Sequence, residues 1–271
     1  MVQIAPVKSG PPPVSGRRAG SETDARSAPL APRVPPVWRE LLLIVLFYSG
    51  YMVTRILIND PGGTDSAYAH ARQIFGWERA TGLDVELGLN EFLLRHQHLA
   101  FAANIFYLSA HFVVTLGVVV WLYRRRPRHY AWFRAGILAA TALALVGFWL
   151  YPLAPPRFME GFGFVDPVVH FSTPGLYSSG ASTAMANQYA AMPSMHAGWA
   201  IWCGIALVTL GRQWWVRLAG VLYPATTVLV IMSTANHYVL DAVAGVALIV
   251  VSLWASWWAY RWSGRGRTAA Q

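Results

Sequence analysis

Six stretches of the chain carry apolar residues almost without interruption, at about Leu41–Ile58, Leu99–Tyr123, Ala135–Leu153, Ala197–Leu210, Val216–Ser233 and Val239–Tyr260. A helix needs roughly 20 apolar residues to cross a hydrocarbon core, so the pattern predicts an all-α, polytopic membrane bundle of about six transmembrane helices. The fourth stretch is the shortest. It reaches spanning length if its helix starts near Pro193, since a proline suits a first helical turn, where its missing N–H would have had no partner. Two long connections break the pattern, residues 59–98 and 152–195. The first mixes acids (Asp60, Asp65, Glu78, Asp84, Glu86, Glu91) with apolar positions such as Ile74, Phe75, Leu87 and Leu93, which suits short helices lying on an interface. The second is 44 residues rich in Gly, Ser, Pro and Ala, and so long a connection in a compact domain tends to be functional. No internal repeat is visible.

Composition strengthens the membrane reading: 55% of residues are hydrophobic and 12% charged, against about 25% charged in soluble domains. Residues 1–38 are rich in Pro, Ser, Ala and Arg and hold no apolar run of signal-peptide length, so a disordered tail is expected there, followed by a membrane domain over 39–262 and a short tail over 263–271. The net charge of +9 follows topology. With six spans, 16 of the 21 Lys and Arg fall on the side of both termini, and Arg55, Arg72, Arg79, Arg95 and Arg157 fall on the other. The positive-inside rule then puts both termini in the cytoplasm of a multi-pass cell-membrane protein, with the two long connections outside. No basic patch is interleaved with base-stacking aromatics, so no nucleic-acid partner is expected. The lone Cys203 lies in an apolar run and offers neither a disulfide framework nor a cysteine metal site.

Three clusters at the outer ends of spans carry candidate chemistry. Tyr151-Pro-Leu-Ala-Pro-Pro-Arg157-Phe158 leaves the third span, and a guanidinium there can hold phosphate or anchor the helix at the interface. Pro193-Ser194-Met195-His196 enters the fourth, placing an imidazole that titrates near neutrality in a first helical turn whose free N–H groups favour an anion. Asn236-His237-Tyr238-Val-Leu-Asp241 enters the sixth. His237 and Asp241 are four residues apart, a spacing that sets them on one helix face, with the carboxylate accepting from one ring nitrogen and the other left as a lone pair. An acid one turn inside a membrane helix needs such a reason. His111, mid-way along the second span, is open to a catalytic or an interhelical structural reading. Glycines around Gly161 and Gly175 match no nucleotide-binding spacing and read as loop punctuation.

From roughly Leu41 to Tyr260 the chain resembles the type 2 phosphatidic acid phosphatase superfamily, most closely its branch containing inositol-phosphorylceramide synthases and related bacterial membrane proteins. The resemblance lies in the span pattern, Ala154-Pro-Pro-Arg157, Pro193-Ser-Met-His196 and Asn236-His237-Tyr238-Val-Leu-Asp241. It implies His237 as nucleophile, Asp241 as the acid that orients it, His196 as the group protonating the leaving oxygen and Arg157 as the phosphate-holding cation. Ser194 and Asn236 complete the expected phosphate-binding set. The chain departs from the broader superfamily in lacking a Lys before the arginine and a Ser-Arg pair before the last histidine, with Val230 and Ile231 where that pair would fall. Arg55, Arg95 and Asn187 are candidates for the missing contact.

The expected function is a lipid-phosphate phosphatase or phosphotransferase that works through a phosphohistidine at the extracytoplasmic face. It would need no metal or other cofactor, and its partner would be a lipid phosphate held in the bilayer. A non-catalytic transporter or flippase for anionic lipids is the rival, and would be expected to show broken helices and inverted repeats. The sequence leaves the donor, the acceptor and the oligomeric state open.

Overall fold

The computed structural model describes residues 35–58, 61–159, 161–173 and 188–263, with residues 51, 54–58 and 61–63 as backbone only. The two expected tails fall almost wholly outside these residues. Eight helices carry the fold: α1 (Val37–Ile58), α2 (Pro61–Thr81), α3 (Val85–Leu94), α4 (Gln97–Arg125), α5 (Pro127–Leu150), α6 (Met195–Leu210), α7 (Trp214–Ser233) and α8 (Val239–Trp262). The described residues contain no strand, so the chain is the all-helical membrane bundle its pattern predicts.

Helices α4, α5, α7 and α8 are long and apolar enough to cross a membrane, and no more than a third of each apolar window is buried. The remaining apolar surface faces outward, where a bilayer accepts it. Along α1, Leu41, Leu42, Ile44, Val45 and Leu46 are likewise exposed. That helix packs along α5, where Arg134 pairs with Glu40. Helix α5 starts eight residues before the expected Ala135, because Pro127 takes the first helical position and Tyr130 and Phe133 are buried. Arg128 and Arg134 hide that turn from an apolar count.

The short helix α6 is the hub, packed against α4, α5, α7 and α8. Lipid does not drive such helices together, so close packing of small residues must. A Cβ on Gly198 would lie 3.0 Å from the carbonyl oxygen of Gly245, and one on Gly204 would lie 2.6 Å from that of Gly220. These contacts seat α8 and α7 on different faces of α6. Trp202 is fully buried and donates its indole N–H to the Phe133 carbonyl at 3.0 Å. With 16 residues α6 is about 24 Å long, whereas the 29 residues of α4 reach about 44 Å. Helix α6 therefore begins beside the middle of α4, well below the level at which α4 starts.

Helices α2 and α3 occupy the connection 59–98 and pack over that end of the bundle. Ala67, Ala71, Ile74, Phe75 and Glu78 form the buried face of α2, and Glu86, Asn90 and Leu93 that of α3. Asn90 donates to the Ser233 carbonyl at 2.9 Å, closing α3 onto the end of α7. The two ends of the connection 152–195 meet in one parallel bridge, Leu153 with Ala190, and Ala154 N–H donates to Ala67 of α2.

Candidate active site

The end of α7 sets the position of His237. Ala235 takes a left-handed conformation (φ 53°), Ala235 N–H donates to Met232 and Asn236 N–H to Ile231, the paired bonds of a Schellman ending. Val230 and Ile231, which stand where the superfamily has its Ser-Arg pair, supply carbonyls to this ending. The chain then turns directly into α8. His237 thus lies just before α8 rather than on a shared helix face with Asp241, and the pair bridges the helix start. Asp241 is fully buried, with Oδ2 accepting from Tyr238 N–H at 3.0 Å and Oδ1 3.2 Å from His237 Nδ1. At 3.2 Å the two make an ion-pair contact without hydrogen-bond alignment, and a carboxylate on that side favours the ring proton on Nδ1, which leaves the lone pair on Nε2.

His196 comes from the first turn of α6. Its Nδ1 lies 3.4 Å from Nε2 of His237. The two segments are joined through backbone, Ser194 N–H donating to the Asp241 carbonyl at 2.9 Å. Gly245 permits this approach, since a Cβ there would sit 2.0 Å from Ser194 O. Ser194 is fully buried and its hydroxyl caps α6 by accepting from Ala197 N–H at 3.4 Å, which starts the helix two residues after Pro193.

Arg157 sits in a 3₁₀ turn, Pro156–Phe158, whose backbone is tied to the same loop by Arg157 N–H donating to Ala235 O at 2.9 Å. Its guanidinium lies over the Phe158 ring, donates to Asn236 Oδ1 and faces Asp166 Oδ2 at 3.5 Å from Nε. Asn236 is itself oriented by donating to Thr234 Oγ1 at 2.8 Å. Arg157 is thus held beside His237 by the residue that precedes His237. Arg95 faces outward with Glu91 instead, its side chain 75% exposed. Asn187 and the side chain of Arg55 lie outside the described residues.

Three features were not visible in the sequence pattern. Asp166, in the long connection, pairs with Arg157. Tyr107 and His111 of α4 enclose His196, their ring centroids 4.6 Å and 4.2 Å from its own. Glu78 and Glu86, fully buried, lie behind Asp241, and Glu78 Oε1 accepts from Leu240 N–H in the first turn of α8 at 2.7 Å. Burial, reinforced by the contact with Glu86, pushes the Glu78 carboxyl up to about 9, and burial raises Glu86 too, so the pair keeps a proton at neutral pH. Ionisable residues on the inward face of the amphipathic α2 and α3 are the signal that could have flagged this pair. Among the described residues no group of three or more His, Cys, Asp or Glu is arranged to hold a metal.

Two imidazoles, a buried carboxylate behind one of them and a guanidinium alongside lie together inside a membrane helix bundle, a set of groups chemically suited to an anion. The chain belongs to the PAP2 superfamily, whose family model matches residues 72–255 and so encloses the whole constellation. The protein is accordingly of lipid-phosphate phosphatase type, a membrane protein acting on phosphoric esters. No curated protein and no solved structure matches the chain.

Proposed function

We propose that the protein cleaves or transfers a lipid phosphate through a phosphohistidine formed on His237. The observation that carries this reading is the placement of His237, with Nδ1 3.2 Å from the buried Asp241 carboxylate and Nε2 3.4 Å from His196 Nδ1. Nε2 attacks phosphorus, the bond from phosphorus to the leaving oxygen breaks, and that oxygen takes the proton of His196 Nδ1. In the second half His196 Nδ1 takes a proton from the acceptor, whose oxygen displaces His237, and the electron pair returns to Nε2. Water as acceptor gives a phosphatase. A lipid or sugar hydroxyl gives a transferase, the inositol-phosphorylceramide synthase-like outcome favoured by the His-Tyr-x-x-Asp pattern. Arg157 and the free N–H groups at the start of α6 neutralise the equatorial oxygens. Ser194 contributes by capping that helix and Asn236 by holding the guanidinium. The steps call for no metal.

A gap of 3.4 Å is too narrow for phosphorus and its leaving oxygen to stand in line between the two nitrogens, so bound substrate parts the rings. The distribution of Lys and Arg supports an extracytoplasmic site with both termini in the cytoplasm. The test is phosphate release from purified protein on a panel of phosphatidic acid, polyprenyl phosphates and inositol phospholipids, with and without hydroxyl acceptors. Wild type should turn over at least one member and accumulate acid-labile protein-bound phosphate, while His237→Ala should do neither. Wild-type turnover by His237→Ala would overturn the assignment.

A further inference from the structure

The first turn of α8 carries Asp241 and follows directly on His237, and its N–H groups have no partner within their own helix. One of them, that of Leu240, is met from outside. Glu78 Oε1 of α2 accepts it at 2.7 Å, next to Asp241 in the chain. Glu78 shares the buried face of α2 with Ala71, Ile74 and Phe75, a helical spacing that turns its carboxyl toward the bundle. On the same face the Phe75 ring meets that of Tyr238, the residue between His237 and α8, with centroids 6.5 Å apart. At the other end of α2, Ala67 O accepts from Ala154 N–H at 3.2 Å and His70 Nδ1 lies 2.8 Å from the Pro152 carbonyl, in the segment that leads to Arg157. Helix α2 is thus fastened to the segment of the proposed nucleophile and to that of the phosphate-holding cation.

A leucine at position 78 would fill the space without the desolvation cost of a fully buried carboxyl. Glu86 of α3 is equally buried, yet among the described residues neither of its oxygens, nor Glu78 Oε2, bonds to α8. The Leu240 bond therefore sets Glu78 apart from its neighbour. Burial keeps Glu78 protonated at neutral pH, and a neutral carboxyl still accepts through its carbonyl oxygen, so it can hold Leu240 without a second negative charge beside Asp241. We propose that Glu78 is a positioning residue for the reaction on His237, its carboxyl taking the Leu240 N–H and so fixing the first turn of α8 and the placement of Asp241 behind His237. This rests on the phosphohistidine reading above. The role is geometric, and no proton passes through Glu78.

Glu78→Leu removes the acceptor with little change of volume. On short-chain phosphatidic acid it should lower kcat per folded molecule roughly 10-fold with KM nearly unchanged, because a small misplacement of a reacting group is costly. Glu78→Gln, neutral and with the carbonyl oxygen kept, should return kcat to within about threefold of wild type. Glu86→Leu deletes an equally buried carboxyl that is not bonded to α8, and its kcat should stay near wild type. Equal losses in Glu78→Leu and Glu86→Leu, no loss in Glu78→Leu, or a loss in Glu78→Gln as large as that in Glu78→Leu would each overturn the role. Glu78→Asp, which draws the acceptor back by one methylene, puts the same question if the leucine variant does not fold, and wild-type kcat there overturns it. Hydrogen exchange read by mass spectrometry needs no turnover. The Leu240 amide should exchange at least about 10-fold faster in Glu78→Leu than in wild type or Glu78→Gln, with the interior of α8 unchanged. Equal exchange in all three overturns the positioning role even if no lipid is turned over, whereas absent turnover with the exchange difference intact counts only against the phosphohistidine reading.

Discussion

Both ends of the bundle are built around arginines, and they use them in opposite ways. At the end where α6 closes, Arg126 donates from Nε and Nη2 to the Leu210 carbonyl, and Arg217 donates to that of Gly211. These cations are committed to carbonyls that a helix end leaves open and whose dipole favours positive charge. At the end where α6 and α8 begin, Arg157 faces side-chain acceptors, Asn236 and Asp166, which an arriving phosphate can replace. Helix polarity explains the division. C-termini consume cations for structure, while N-termini favour an anion and here stand beside a cation whose side-chain partners an anion can displace.

The sharpest way to break the contrast is to delete one arginine from each end. Arg157→Ala should lower lipid-phosphate turnover by roughly 10²- to 10³-fold, and Arg157→Lys should recover little because an ammonium lacks the bidentate fork. Phosphate-release kinetics in detergent would measure both. Arg126→Ala should instead leave kcat near wild type and lower thermal stability by about 1 kcal/mol. Equal activity losses at the two ends would erase the distinction. Gly245→Ala forces a methyl toward Ser194 O and should destabilise by about 1–3 kcal/mol with loss of activity, read by melting and turnover on the same sample.

Proton linkage separates the ends as well. The Glu78 carboxyl rises from 4.5 to about 9 on folding, so the folded chain binds more protons than the unfolded chain between those values. Its contribution to stability is complete below about 4.5 and declines as pH rises toward about 9. Melting temperature should fall across that window, and Glu78→Gln should flatten the fall while still accepting from Leu240. The smallest effect is expected at Ala235, where Gly relieves a left-handed φ and should stabilise by about 1 kcal/mol or less with kcat unchanged. Chemical denaturation would resolve it.

The same physics explains what was legible beforehand. Apolar runs mark helices because bilayer and helix impose a length, and Arg157, His196, His237 and Asp241 stand out because each sits where a span begins or ends. Local spacing also found the His237–Asp241 pair, although the pair forms across a helix start. What spacing could not supply was contact between distant elements. Glu78 meets α8 across 162 positions. Asp166 is one acid in a long connection until the fold turns it to Arg157. The ring contact of His111 with His196 depends on α6 beginning half-way along α4, a depth that no periodicity encodes.

That depth follows from the enclosure of α6. A helix in contact with lipid must match the hydrocarbon thickness of about 30 Å or tilt and distort its surroundings. Walled in by four neighbours, α6 is exempt from hydrophobic matching, and its polar start can lie low without meeting acyl chains. Changing bilayer thickness should therefore act on α4, α5, α7 and α8 and reach His196 only through them. Vesicles of graded acyl length should shift thermal stability more than they shift kcat.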